Sequence, residues 1–102
     1  MQQGPWFPLR IARASDLAEG IREFELRPAA GGELPEFTAG AHVSVQTPNR
    51  LVRKYSLCND PQERDRYVIA VLREASGRGG SKSLIEEARE GDEILVSPPH
   101  NN

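Results

Sequence analysis

Cysteine is nearly absent from this chain of 102 residues: Cys58 stands alone. An internal disulfide, a multi-thiolate metal site and an iron–sulfur cluster held by this chain are excluded by ligand count, and the usage suits a reducing compartment. No apolar stretch approaches the ~20 residues a membrane-spanning helix needs, and no charged leader with an apolar core opens the sequence. Neither a membrane partner nor a signal peptide is indicated, and cytoplasm is the expected location. Positive charge is not in excess either, with 13 Lys and Arg against 15 Asp and Glu for a net charge of -2, so nucleic acid is set aside as a partner. The length suits one domain with one hydrophobic core and leaves no room for a second nucleotide-binding lobe.

What is present is a succession of short alternating segments. Met1 to Pro8 carries prolines and a glycine around Trp6 and Phe7 and reads as an irregular lead-in with its aromatics over one end of the fold. From Leu9 polarity alternates, with Leu9, Ile11 and Arg13 on one side and Arg10 and Ala12 on the other. Ile21 to Arg27 predicts a half-buried strand, Phe24 and Leu26 inward, ended by Pro28. A loop then runs to about Gly40, where Ala39-Gly40-Ala41 makes a tight lead into a strand over His42 to Thr47. That strand places Val43, Val45 and Thr47 opposite His42, Ser44 and Gln46.

Pro48-Asn49 supplies the turn into a strand over Leu51 to Cys58. Tyr67 to Arg73 is the most strand-like run and is expected mid-sheet. Ser83 with Glu86 three residues on resembles a capping box, and Leu84, Ile85 and Ala88 form a short apolar helical stripe before Gly91. Glu93 to Val96 gives a last strand, which Pro98-Pro99 prevents from continuing. About six strands and one helix predict an all-β, closed or nearly closed antiparallel barrel, since closure removes exposed edges.

Two segments carry chemistry. Arg53-Lys54-Tyr55-Ser56 offers a planar, permanently charged fork, a flat aromatic face and a small hydroxyl, with Arg53 and Tyr55 on the same side of a strand. Gly77-Arg78-Gly79-Gly80-Ser81 feeds a helix start, where unpaired N–H groups and the positive dipole end welcome an anion. Together they read as a site for a phosphorylated aromatic cofactor. Each alone has a plainer reading: an arginine and tyrosine on an exposed sheet face, and a loop tip between strand and helix. The glycines do not make the dinucleotide fingerprint, since no βαβ unit surrounds them. Cys58 is expected to act as a small hydrophobe, and His42 and His100 lack the further ligands a metal site needs.

Arg53 to Asp60, Tyr67 to Glu74 and Gly77 to Ser81, taken in order, resemble the phthalate dioxygenase reductase family, which includes vanillate O-demethylase reductases. The resemblance runs from about Leu9 to Pro98. It implies a ferredoxin reductase-type, six-stranded antiparallel Greek-key barrel with one short helix, residues 1–102 forming an FMN-binding domain. In the family an NAD domain and a plant-type [2Fe–2S] domain follow, and electrons pass from NADH through FMN and the cluster to a Rieske-type oxygenase in aromatic compound catabolism.

The resemblance further implies that Arg53 pairs with the FMN phosphate, Tyr55 stacks on the ring or ribityl chain, and Ser56 hydrogen-bonds near flavin N5. Ala70, Val71 and Leu72 would offer backbone contacts to the ring's polar edge, and Gly79, Gly80 and Ser81 would complete the phosphate nest. Lys54 holds the variable place of the motif, either as a further phosphate contact or facing solvent. The sequence stops where the family's nicotinamide domain would begin, so the expectation is a truncated domain or one partner of a split system, catalytically incomplete by itself. An FAD-binding relative and a stand-alone binding barrel without redox chemistry are the alternatives.

Overall fold

A computed structural model describes residues 6–73 and 79–101. Its elements are β1 (Phe7–Ala18), β2 (Ile21–Pro28), β3 (His42–Gln46), β4 (Val52–Ser56), β5 (Tyr67–Leu72), α1 (Gly80–Glu87) and β6 (Glu93–Val96). The strands lie in the order β4-β3-β6-β1-β2-β5, all pairs antiparallel. An isolated Leu57↔Ile69 bridge and the bond from Cys58 N–H to the Val68 carbonyl, 2.8 Å, bring the two outer strands together. The six-stranded Greek-key barrel with one short helix is therefore as expected.

Alternation along the strands builds the core. Leu9, Ile11, Phe24, Leu26, Val43, Val45, Ile69, Val71 and Val96 are fully buried, and Leu84 and Ala88 of the helix region join them. Tyr67 is buried too, its ring edge-on to Phe37 at 5.6 Å and its hydroxyl donating to the Pro35 carbonyl at 2.6 Å. Burial pushes its pKa up, because the phenolate would lose hydration there.

Several local expectations are corrected. β1 begins at Phe7 and runs for 12 residues, and Arg13 does not continue the inward face. The β1–β2 register shifts between Ile11 and Arg13, so an extra residue turns Arg13 outward and hands the inward side to Ala14. Ser44, on the face opposite Val43 and Val45 as expected, is buried all the same, and its N–H donates to the Ser97 hydroxyl at 2.9 Å. β5 is not mid-sheet: it ends the hydrogen-bonded order, with β2 on one side and, among the described residues, the isolated Leu57 bridge toward β4.

The capping box also fails. α1 begins at Gly80 with Gly79 as N-cap at φ 82° and no side-chain cap, and Ser83 sits inside the helix with its hydroxyl accepting the Asn49 N–H at 3.0 Å. Glycine suits this left-handed start, which a side chain would strain. Gly77 and Arg78 of the glycine segment, like Met1 to Pro5, lie outside the described residues. No described helix is long and apolar enough to cross a membrane.

Candidate functional site

Where β4 and β5 part, a cleft of about 240 Å³ opens, lined by Arg53, Lys54, Tyr55, Ala70, Leu72 and Ser81. Three separated stretches of sequence thus meet at one place. Arg53 and Tyr55 stand opposite Val45 and Val43 across the β3–β4 ladder, which puts them on the side of the sheet that turns toward α1 and β5. Tyr55 is half-buried against the core, and its hydroxyl hydrogen-bonds the Ser81 hydroxyl at 2.9 Å. The head of the helix is thereby fastened to the middle of β4.

Gly80 has a steric reason to be glycine. A Cβ there would lie 2.9 Å from Arg53 Nε, closer than real Cβ atoms approach, and 3.0 Å from Arg53 Cγ, at the tight end of such contacts. The arginine stem therefore lies flat across the first helical residue. Its fork is held from behind, Nη1 donating to the Val52 carbonyl at 2.8 Å. A guanidinium beside a helix N-terminus combines a full positive charge with the dipole's partial one, a setting that favours a dianionic ester.

The opposite wall is apolar. Leu72 is 56% exposed and Ala70 half-buried, surface that a flat ring could cover. Val71 points into the core, leaving only its backbone to this side. Ser56, also exposed, stands outside the cleft lining, with its carbonyl facing the Cys58 thiol at 3.6 Å. Gly79 is set just behind the lining, its carbonyl accepting the Ser83 N–H at 2.8 Å. Asn49 and Ser83 were not read from the sequence as belonging here, yet they tie the β3–β4 turn to the helix head. Their signals pointed elsewhere, Pro48-Asn49 to the turn into the next strand and Ser83 to a helix cap.

The two histidines meet elsewhere. His42 and His100 exchange backbone hydrogen bonds of 2.9 and 3.0 Å, and their rings cross edge-on at 4.0 Å. Burial, followed by the His100 ring and the Lys54 ammonium, holds the His42 pKa below its ordinary value. Among the described residues no three potential metal ligands cluster.

No protein-family profile matches the chain. It is 52% identical over 93 residues to the phthalate 4,5-dioxygenase oxygenase reductase subunit of Pseudomonas putida, which covers 91% of this chain and 29% of that protein. Identity to the phthalate dioxygenase reductase of Burkholderia cepacia is 50% over 98% of this chain and 31% of the other. The vanillate O-demethylase oxidoreductase of Pseudomonas putida is 46% identical over 89% of this chain and 29% of its own.

A solved structure of phthalate dioxygenase reductase, described as modular for electron transfer from pyridine nucleotides to [2Fe–2S], superposes with a TM-score of 0.93 at 50% identity. That superposition covers 95% of this chain and 30% of the other. The chain spans about a third of the length of these relatives. Within that span, sequence and barrel together place this chain in the phthalate dioxygenase reductase and vanillate O-demethylase reductase family.

Proposed function

We propose that this chain is the FMN-binding barrel of an NADH-dependent oxygenase reductase, with the β4–β5 cleft as the flavin site. The observation that carries the reading is the contact of Arg53 with Gly80, which sets a fixed guanidinium against the first amides of α1. The residues present fit the group: a cradle without room for a Cβ, a cation, an aromatic at the boundary of the core, and an apolar wall. Arg53 with the Gly80 and Ser81 amides would hold the phosphate, with Gly79 shaping the turn behind them. Tyr55 would border the ring system or ribityl chain, Ser56 would donate to the ring near N5, and the backbone of Ala70, Val71 and Leu72 would meet its polar edge. Lys54, at the open side of the cleft, would add long-range attraction for the anion.

When bound, FMN supplies the conversion between two-electron hydride chemistry and one-electron transfer. This chain's share is to bind and orient the group and to cover part of its surface from water. NADH oxidation, the [2Fe–2S] relay and delivery to a Rieske-type oxygenase are proposed for the parent reductase, in keeping with relatives named as reductases of phthalate dioxygenase and vanillate O-demethylase.

Titration of the purified chain with FMN, FAD and riboflavin, followed by visible absorbance and flavin fluorescence, tests the assignment. FMN is expected to bind tightest. A colourless chain with no affinity for any flavin would overturn it, and preference for FAD would overturn the choice of FMN.

A further inference from the structure

We propose that Thr47, Asn49 and Ser83 form a positioning clamp that sets the gap between the β3–β4 hairpin and the head of α1, and thereby the site's preference for a phosphorylated over an unphosphorylated flavin. The proposal rests on the flavin reading above. At the turn, the Thr47 hydroxyl donates to Asn49 Oδ1 and accepts the Leu51 N–H at 3.1 Å, fixing the Asn49 side chain. From there Asn49 reaches the helix twice. Its N–H donates to the buried Ser83 hydroxyl at 3.0 Å, and its Nδ2 donates to the Gly79 carbonyl at 3.4 Å.

The clamp acts on the residues that matter for an anion. Arg53 follows Asn49 by four residues along the hairpin and Gly80 precedes Ser83 by three, so the helix end of the clamp lies within one turn of the cradle and the hairpin end leads directly into β4. The gap it sets is at the contact limit, with no space for even a Cβ between Gly80 and the Arg53 stem. Opening that gap by an ångström would carry the amides of Gly80 and Ser81 away from the guanidinium, and one ester group could no longer touch both. Charge-assisted bonds to phosphate depend on both sides being present at once. A ring resting on Tyr55 and the Ala70–Leu72 wall is held mainly by the strands, and a shift that spares the bond between the Tyr55 and Ser81 hydroxyls leaves that platform in place.

The test uses the intact chain carrying Asn49→Ala, which removes the side-chain bonds to Thr47 and Gly79 and keeps the backbone N–H, or Ser83→Ala, which removes the acceptor of that N–H. FMN and riboflavin affinities are measured by fluorescence titration, and amide hydrogen exchange is measured without ligand. The expected result is FMN binding weakened about 10-fold with riboflavin changed less than about twofold, since a hydrogen bond of this kind is worth about that factor. Exchange at Ser83 and Leu84 rises while the rest of the barrel keeps its protection. Equal losses for both ligands, or unchanged FMN affinity with unchanged exchange, would overturn the clamp while leaving the flavin site standing. A wild-type chain that bound neither flavin would overturn the flavin reading and the selectivity with it. If Ser83→Ala does not fold, Asn49→Ala decides.

Discussion

β5 meets its two neighbours on opposite terms. Toward β2 the register runs without a break from Ile21↔Leu72 to Leu26↔Tyr67, and beside it Glu25 takes Arg27 at 2.7 Å and Arg66 at 3.4 Å. Toward β4 one bridge, Leu57↔Ile69, joins the strands and then they separate around a cleft edged by Arg53, Tyr55 and Leu72. A completed ladder with ion pairs along it leaves nothing for a ligand to satisfy. A seam that opens leaves cationic, aromatic and apolar surface together, and the same strand thus carries a full ladder on one edge and the proposed flavin cleft on the other.

The comparison is broken most forcefully from the laddered side. Phe24→Ala, at a fully buried position of β2, is expected to cost about 3–5 kcal/mol in urea unfolding and to abolish the seam only by abolishing the fold. Arg53→Ala strikes the seam alone. It should weaken FMN by about 1.5–3 kcal/mol, leave riboflavin nearly unchanged and barely move the melting temperature. Equal losses for both ligands would make Arg53 a structural residue. Gly80→Ala should push the Arg53 stem aside and weaken FMN by about tenfold, or ~1.4 kcal/mol, with little effect on unfolding, because a flexible side chain can yield. A large drop in stability would contradict it.

Smaller effects sharpen the contrast. Arg27→Ala removes pairs with Glu25 and Asp65 that are partly exposed to water, and should cost no more than about 1 kcal/mol in unfolding, shrinking with added salt. His42 supplies the pH dependence. Its folded pKa lies below the ordinary 6.5, so the folded chain binds fewer protons than the unfolded one in that region. Stability is full above about pH 6.5 and declines as pH falls below it, so melting temperature should drop between pH 7.5 and 5.5. In His42→Asn that decline should flatten; an identical slope would show that other groups cause it.

Period-two patterning made the barrel legible, because Phe24, Leu26, Val43 and Val45 announce an inward face wherever they occur. Tyr67 to Leu72 misled for a physical reason. A run apolar on both faces usually lies between two strands, whereas here the outward Ala70 and Leu72 border a cleft. Arg53, Tyr55, Gly80 and Ser81 could be marked from residue type, but not the contact of Arg53 with Gly80, which depends on a helix beginning three residues before Ser83. The bulge after Ile11 and the Asn49–Ser83 bond are set by partners distant in sequence, and no local pattern encodes them.

Docking of a phosphate ester where Arg53 meets the head of α1 is the proposal on which the flavin assignment stands. Amide NMR spectra of the chain saturated with FMN and with riboflavin isolate that group, since the two ligands differ by the phosphate alone. The differences between the spectra should concentrate at the Gly79, Gly80 and Ser81 amides and at the Arg53 Nε–H. Differences scattered elsewhere, with those four signals unmoved, would contradict the account.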